Sequence, residues 1–454
     1  MPSLAHFEDY LRLFYKNNWV ATRDLKDFFR QIGLATEDAD FFGYCLFNMH
    51  FRDISQPYGV ASAPANSQYF SKLIIWILDH KVFPSKSILK SLVFIDDFAF
   101  FGKTKKDVEE MEKLFDKLLQ ELNITQSKHK AVPATQKTIV HGLRWDLKLK
   151  TVEIPEDKLK ELLAMIKAAI KYRVVSGIFL EKLCGKLMYW AKINKWSKVL
   201  CARTLYHIHD SIRQNPKNKN KYFFLPLSII IDLKFWLKFC TMFRIIKMET
   251  LLFKPTSTFA ASTDACDFGA GGVFNNHSFN YIFNETDKLN TINWKEAHAI
   301  LTLIETFKHQ LTGKKIQIVV DNLSVFFTFQ RKWSPSYDLM SFVYELAIKC
   351  LEYKIFPYFC YAFSELNYLA DALSRGNLDD FNMFCHYHQI KFQSVKPVYF
   401  KNYKFKTNLH EDRSFDAKEL KDFIEHLKLP PLERANHHYK YMGDSLLSIP
   451  NELI

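Results

Sequence analysis

The sequence contains little glycine, and it lacks paired cysteines and long apolar runs. Thirteen glycines in 454 residues are too few for a fibrous or loop-dominated chain. The eight cysteines include no CxxC pair, which favours reduced, buried thiols over a disulfide framework or a zinc site. The most apolar stretch, 223–237, is broken by Pro226, Asp232 and Lys234, so no segment is expected to span a membrane. Since no signal peptide is visible either, we expect a soluble, intracellular protein, with nucleus or cytoplasm left open.

Acidic residues are also too few to balance the basic ones. Lys and Arg number 62 against 49 Asp and Glu, which gives a formal charge of +13 and a pI of about 9.1. An excess of this size favours a polyanionic partner, because neutralised phosphates release counterions on binding. A merely basic soluble protein would have the same charge, so the charge alone leaves nucleic-acid binding open. The hydrophobic content of 48% predicts a large core, and the length predicts about two to four domains.

Three aspartates in the first hundred residues form a candidate metal site. Asp24 ends a predicted short strand within 18–34, and LVFIDDFAFFG (92–102) predicts a hairpin that turns at Asp96 and Asp97. On adjacent strands their carboxylates could meet and hold two magnesium ions about 3.5–4 Å apart for phosphoryl transfer. An Asp-Asp pair at a hairpin is, by itself, most often only a turn.

The segments around these aspartates resemble the palm of reverse transcriptases. The resemblance rests on DLKDFFRQI (24–32), QPYGVASAP (56–64), FIDD (94–97), LNITQSKHKAVP (122–133) and VHGLRW (140–145), which occur in the family's order. It implies that Asp24, Asp96 and Asp97 are catalytic metal ligands. It further implies that six residues contact the substrate: Phe29, Pro57, Tyr58, Gly59, Lys128 and Gly142. Among them, Phe29 would exclude a ribose 2′-hydroxyl.

Two departures from the family pattern bear on polymerase activity. Phe28 occupies a position where the family usually has a small alanine, next to the expected pocket for the nucleotide 3′-hydroxyl. Only 23 residues precede Asp24, so the fingers that clamp the incoming nucleotide are expected to be largely missing. Polymerase activity of this chain is therefore left open.

The second half places four acids in the order strand-Asp, helix-Glu, strand-Asp, helix-Asp. They are Asp264, Glu296 in the first turn of its helix, Asp321 and Asp371. The strings STDACDFGAGGVF (262–274), INWKEAHAI (292–300), VVDN (319–322) and ELNYLADALSR (365–375) resemble the motifs of ribonuclease H. The resemblance implies that these four acids are catalytic and hold two Mg²⁺ (or Mn²⁺) ions, as in the polymerase site. Gly269, Gly271 and Gly272 are expected to ease a tight turn.

The predicted fold class is α+β and α/β multidomain, with a palm, a helical thumb or connection, and a ribonuclease H-like domain. LEKLCGKLMYWAKI (180–193) and DLKFWLKF (232–239) look like the segments between palm and nuclease in DIRS-type retrotransposons. The predicted domains follow this order: 1–155 truncated fingers and palm, 156–246 thumb and connection, 258–376 ribonuclease H-like, 377–454 basic extension.

The resemblance implies a retroelement RNA-directed DNA polymerase with ribonuclease H activity. Its partners would be an RNA template, a DNA primer, an RNA–DNA hybrid and dNTPs, with no membrane; the oligomeric state is undetermined. A partly decayed or domesticated product that only binds nucleic acid is an alternative, as is ribonuclease H activity alone. The segment 391–406 mixes lysines with aromatic residues, which suits strand binding and equally a solvated basic tail.

Overall fold

The computed structural model describes residues 4–82, 90–202, 204–205, 221–252 and 259–401. The chain forms two compact units. Unit 1 comprises 1–155 and 244–252, and unit 2 comprises 156–243 and 253–454. Helices and several separate sheets occur in both, which confirms the predicted mixed α+β and α/β class. Within the described ranges, no helix is both long and apolar enough to cross a membrane.

Helices and strands are numbered along the described chain. The helices are α1 Phe7–Lys16, α2 Thr36–Ala39, α3 Ala63–Ile77, α4 Lys105–Glu121, α5 Glu156–Tyr172, α6 Gly177–Trp190, α7 Leu227–Met242, α8 Met248–Leu251, α9 Glu285–Lys288, α10 Ile292–Leu311, α11 Leu323–Arg331, α12 Tyr337–Glu352, α13 Tyr368–Ser374 and α14 Leu378–Tyr387. The strands are β1 Trp19–Asp24, β2 Gly43–Leu46, β3 Met49–Arg52, β4 Lys90–Phe94, β5 Asp97–Gly102, β6 Val132–Thr135, β7 Lys137–Val140, β8 Leu143–Asp146, β9 Thr151–Glu153, β10 Val174–Ser176, β11 Tyr222–Phe224, β12 Ile245–Lys247, β13 Phe259–Ala265, β14 Gly269–Phe274, β15 His277–Ile282, β16 Lys315–Val320, β17 Phe356–Tyr361 and β18 Gln393–Ser394.

The main sheet of unit 1 is antiparallel, in the order β4-β5-β1-β6. Its β4–β5 hairpin confirms the strand pair predicted over 92–102. Helix α4 covers the sheet because Val108, Met111 and Phe115 recur at helical spacing and lie fully buried against Phe98 and Phe100. The helix begins at Thr104, whose side chain accepts a hydrogen bond from the Asp107 amide.

A second antiparallel sheet of unit 1 has the order β12-β9-β8-β7. The loop between β7 and β8 is His141–Gly142, with φ of 48° and 68°. Positive φ at both central residues is typical of a type I′ turn, which suits a two-residue hairpin. Helix α1 packs on this sheet through Phe14, whose ring stacks on Trp145 at 4.3 Å between centroids.

Unit 2 is built on a six-stranded sheet in the order β17-β16-β13-β14-β15-β18. Strands β13, β14 and β15 form an antiparallel meander, whereas β16 pairs in parallel with both β13 and β17. The parallel strands require crossovers, which α10, α11 and α12 provide. Because β13 lies in the middle of the sheet, a residue at its end is close to the helices that cross it.

The glycines of β14 have a different role from the predicted one. Gly269, Gly271 and Gly272 lie within the strand and not in a turn. A Cβ atom on Gly271 would lie 2.5 Å from the Leu373 Cβ, and one on Gly269 would lie 2.9 Å from the Ser374 carbonyl oxygen. Gly269 and Gly271 therefore allow α13 to approach the sheet closely, whereas a Cβ on Gly272 would meet the Ser262 carbonyl oxygen of β13. A tight turn is present at 266–268, but the expectation that these glycines form it was wrong.

The region 156–245 is predicted to be helical, and the helices predicted at 156–172 and 177–193 are present as α5 and α6. A third helix, predicted at 198–212, starts within the 3₁₀ helix Lys195–Cys201, and its residues 206–212 lie outside the described residues. Helix α7 packs against α5, and its Asp232 accepts a hydrogen bond from the Tyr344 hydroxyl of α12, where both side chains are buried. The helical segment thus shares a compact unit with the six-stranded sheet. Most of the predicted polar loop at 213–221, and the segment 402–454, lie outside the described residues.

Candidate metal sites

In unit 1, the strand register brings two of the predicted acids together. Asp24 is the last residue of β1 and pairs directly with Asp97, the first residue of β5. Asp96 occupies the turn before it, and its carbonyl oxygen accepts a 3.1 Å hydrogen bond from the Leu25 amide. The three residues thus converge at one end of the sheet, as their predicted role requires.

The carboxyl groups of Asp96 and Asp97 have raised pKa values. Burial, followed by repulsion from Asp96 and Asp24, raises the pKa of Asp97 to about 7. The pKa of Asp96 is also raised, mainly by burial and also by Asp24, although Lys130 opposes the change. Adjacent carboxylates favour uptake of a proton or a cation, because either one relieves their repulsion.

Lys130 was not identified from the sequence as a site residue. Its Nζ atom lies 3.0 Å from both carboxylate oxygens of Asp24. The predicted substrate lysine, Lys128, is exposed and lies two residues earlier, in the short 3₁₀ helix Lys128–Lys130. The basic string KHK was visible in the sequence, but one turn of helix decides which of its lysines faces Asp24.

The turn that carries the aspartate pair is strained and supported from α3. Ile95 has a φ of 57°, a region that β-branched residues rarely adopt. The fully buried Gln68 accepts a 2.7 Å hydrogen bond from the Ile95 amide and donates one of 3.2 Å to the Val93 carbonyl. The Ser71 hydroxyl donates to the Ile95 carbonyl oxygen. Gln68 and Ser71 therefore fix the position of the turn, and sequence reasoning missed both.

The predicted nucleotide contacts lie in two segments that meet. The Phe29 ring packs edge-on against Tyr58 with centroids 5.4 Å apart, and Asp96 is among the groups that raise the pKa of Tyr58, after burial and Asp27. Pro57 is buried beside it, and Gly59 has a φ of 92°. Phe28, by contrast, is buried in the core beneath the sheet. Its size is thus accommodated by the core.

The turn that contains Gly142 contacts the aspartate hairpin. The His141 ring packs edge-on against Phe94 at 4.9 Å between centroids, and against Tyr10 at 4.6 Å. Phe94 is itself paired with Asp97 in the β4–β5 register. Gly142 therefore lies next to the FIDD segment, as its predicted role at the primer end requires.

In unit 2, three of the four predicted acids form a cluster. Asp264 lies on β13, Glu296 on α10 and Asp321 directly after β16. One carboxylate oxygen from each lies within 4.8 Å of the others, an arrangement that can hold a metal ion. Glu296 is the fifth residue of α10, so it lies in the second turn and not in the predicted first turn. The helix begins at Thr291, whose side chain accepts a hydrogen bond from the Trp294 amide.

The cluster is electrostatically costly without a cation. Burial and repulsion from Asp264 and Asp321 raise the pKa of Glu296 well above its ordinary value. Burial, with Asp321 and Asp371, raises the pKa of Asp264 to about 6, although the Ser374 hydroxyl opposes the change. Within the described residues, the buried Oε2 atom of Glu296 has no hydrogen-bond partner. Oxygen ligands of this kind suit Mg²⁺ or Mn²⁺.

Asp371 lies beside the cluster, outside the group of three. Its Oδ1 atom accepts a 2.8 Å hydrogen bond from the Arg375 Nε, one helical turn later on the chain. It is near enough to raise the pKa of Asp264. Coordination of a shared ion by all four acids would require Asp371 to exchange its contact with Arg375 for the metal.

Two further residues position the cluster. The Ser374 hydroxyl donates a hydrogen bond to Asp264, and the buried Asn367 amide donates to the Thr263 carbonyl at 3.0 Å and to Asp321 at 3.4 Å. Both belong to the string ELNYLADALSR, whose pattern was recognised, but only Asp371 was assigned a role from it. The motif could therefore have indicated Asn367 and Ser374 as site residues. Their hydrogen-bond partners, however, lie far away in sequence.

Comparison with known proteins gives similarity to viral proteins. No family model matches the sequence. The chain is 29% identical over 120 residues to the genome polyprotein of petunia vein clearing virus, isolates Shepherd and Hohn, which is 26% of this chain and 5% of the polyprotein. Among solved structures, foamy viral protease-reverse transcriptase with an RNA/DNA hybrid has a TM-score of 0.43 and 13% identity, over 79% of this chain and 46% of that one. The same protein with dsDNA has a TM-score of 0.41 and 13% identity, over 80% and 72%.

Proposed function

We propose that the chain is a retroelement RNA-directed DNA polymerase with ribonuclease H activity, and that both reactions are metal-dependent phosphoryl transfers. The observation that carries the proposal is the buried cluster Asp264, Glu296 and Asp321, with an unpaired Glu296 oxygen. A buried carboxylate oxygen without a partner is unfavourable unless it gains a proton or a cation. Its retention next to two more acids supports a cation-binding function.

In the nuclease site, the chain supplies ligands and their supports. Asp264, Glu296 and Asp321 would hold the ions, and Ser374 and Asn367 would keep two of these carboxylates in place. Bound Mg²⁺ or Mn²⁺ would activate water and stabilise the leaving 3′-oxygen. The substrate for this site is the RNA strand of an RNA–DNA hybrid. Arg375 would release Asp371 when that carboxylate is needed near the ions.

In the polymerase site, Asp24, Asp96 and Asp97 would hold two ions. The strained Ile95 turn, fixed by Gln68 and Ser71, would set the position of the two aspartates. Lys130 forms an ion pair with Asp24 and would be displaced from it when an ion binds. RNA template, DNA primer and dNTPs are the proposed partners, with Phe29 next to the sugar.

Separate variants of the two sites test the proposal. Wild-type protein with Mg²⁺ should cleave the RNA of a hybrid and extend a DNA primer on an RNA template. D321N should lose hybrid cleavage and keep extension, whereas D97N should do the reverse. D379N is the matched control, because Asp379 is an exposed aspartate in the first turn of α14, in the same unit as the nuclease site.

The outcome separates the alternatives. Cleavage without extension would favour ribonuclease H activity alone. Binding of hybrid without either reaction would favour a decayed or domesticated product. Cleavage that D321N leaves intact would contradict the assignment of the carboxylate cluster.

A further inference from the structure

The chain beyond β18 leaves the six-stranded sheet and runs along α10. Strand β18 pairs in parallel with β15 and extends the sheet by one short strand. The Val395 amide continues this pairing, since it donates a 2.9 Å hydrogen bond to the Ser278 carbonyl oxygen. From there the chain passes to the helix that carries Glu296. We call residues 395–401 the strap.

Three hydrogen bonds attach the strap to one face of α10. The Val398 amide donates to the Thr306 hydroxyl at 2.9 Å, and the Phe400 amide donates to the Thr302 hydroxyl at 3.3 Å. The His298 Nε2 atom donates to the Phe400 carbonyl oxygen at 2.7 Å. The three helix residues are four positions apart, so they lie on one face. Because every contact involves the strap backbone, they fix the path of the strap along the helix.

The His298 ring is fully used in this attachment. Burial lowers the pKa of His298 to about 4, although the Phe400 carbonyl opposes the change, so the ring is neutral at neutral pH. A carbonyl oxygen can only accept a hydrogen bond, which places the proton on Nε2. The Nδ1 atom then accepts a 2.8 Å hydrogen bond from the Tyr281 hydroxyl. One tautomer is thus fixed by partners on two different elements.

The aromatic residues of the strap pack into unit 2. Phe400 is only 4% exposed, and its ring lies 6.0 Å from Phe342 between centroids. The Tyr399 hydroxyl donates a 2.6 Å hydrogen bond to Asp287. Phe400 therefore cannot stack on a base, and neither strand binding nor a solvated tail describes this part of the segment 391–406.

The strap and the carboxylate cluster lie on opposite sides of α10. Glu296 is two residues before His298, and a helix turns by about 100° per residue, so the strap contacts lie about 200–280° around the axis from Glu296. All residues of the helix from 294 to 304 are buried. The strap therefore covers the side of the helix that faces away from the acids.

We propose that the strap positions Glu296 through His298 and thereby sets the metal affinity of the nuclease site. The inference rests on the proposed function, since it concerns the ions of that site. Metal ligands bind best when surrounding contacts hold them in place. Ser374 and Asn367 hold the other two carboxylates, whereas Glu296 Oε2 has no hydrogen-bond partner among the residues that the structure describes. The position of that oxygen thus depends on the helix that carries it.

The test is Mn²⁺ binding to the full chain, measured by calorimetry in the absence of nucleic acid. The binding that E296Q removes belongs to the nuclease site. H298L should lower the affinity of this site about tenfold, as is typical when a support of a metal ligand is lost. H298Q should stay close to the wild type, because its amide can still donate to the Phe400 carbonyl. T306V should also lower the affinity, although residue 306 lies about 15 Å along the helix from Glu296.

A double variant and the Mg²⁺ dependence separate positioning from a general loss of packing. F400A and H298L should weaken Mn²⁺ binding through the same contact, so the double variant should be no weaker than the worse single variant. H298L should need about ten times more Mg²⁺ for half-maximal hybrid cleavage and approach the wild-type rate at saturation. K396Q is the matched control, because Lys396 is an exposed residue of the same strap.

The outcomes separate this inference from the proposed function. Wild-type Mn²⁺ affinity in folded H298L and T306V proteins would overturn the inference and leave the proposed nuclease intact. Additive effects of F400A and H298L, or a cleavage rate that saturating Mg²⁺ does not restore, would also overturn it. A wild type that shows no Mn²⁺ binding sensitive to E296Q would instead contradict the proposed nuclease site.

Discussion

Replacement of Asp264 by asparagine should make the metal-free protein more stable at neutral pH while removing nuclease activity. The introduced asparagine would keep the shape of the side chain and could still accept the hydrogen bond from Ser374. It would remove one negative charge from a buried cluster that also contains Glu296 and Asp321. The substitution thus separates the cost of the charge from loss of packing.

The size of the effect follows from the pKa of Asp264. Folding raises this pKa from 3.8 to about 6, which corresponds to about 3 kcal/mol. Since the folded state holds the proton more tightly, the wild type loses this stability as the pH rises from about 4 to 6. D264N does not. The difference between the two proteins should therefore grow across that window and stay constant above it.

The assay is hydrogen exchange of β13, β14 and β16 in EDTA, which reports the stability of unit 2 separately from unit 1. D379N serves as the control, because the charge of the exposed Asp379 should make no difference. Addition of Mg²⁺ should stabilise the wild type and not D264N, since the ion needs the carboxylate. A D264N protein no more stable than the wild type at pH 8, or a difference independent of pH, would refute the reasoning.

Two other substitutions test the supports of the sites. G271A should destabilise unit 2 by about 1–3 kcal/mol and reduce hybrid cleavage, because the new Cβ atom would lie 2.5 Å from the Leu373 Cβ. Thermal unfolding measures the loss of stability. G33A is the control, because a Cβ atom on Gly33 would meet no atom within 4 Å. Q68A should lower primer extension and cost about 1–3 kcal/mol of stability in urea unfolding, because it leaves the Ile95 amide without its acceptor. Unchanged extension would show that the turn needs no such support.

Local patterns predicted most of the elements. The apolar runs on both sides of Asp96 and Asp97 predicted the hairpin, and the helical spacing of Val108, Met111 and Phe115 predicted α4. Such patterns report which face of an element is buried, so they also placed Asp264 on a strand. They do not fix the first residue of a helix, which is why Glu296 was predicted in the first turn of α10 and lies at the start of the second.

Contacts between distant segments could not be predicted in the same way. Lys130, and not Lys128, contacts Asp24, because the 3₁₀ helix turns only one of them toward the sheet. The tight β14–α13 approach depends on Gly271 and Leu373, about a hundred residues apart. Local sequence preference predicted a turn at Gly271, but tertiary packing places this glycine in a strand, in close contact with α13.

The hydrogen bond between Tyr344 and Asp232 bears on how the nuclease can be produced in isolation. A fragment that starts at residue 258 would lack α7 and leave the buried Tyr344 hydroxyl without that acceptor. It would also uncover the face of α12 that packs on the 3₁₀ helix Lys195–Cys201. Expression of the nuclease for assay should therefore begin before α5, at about residue 156, where the compact unit begins.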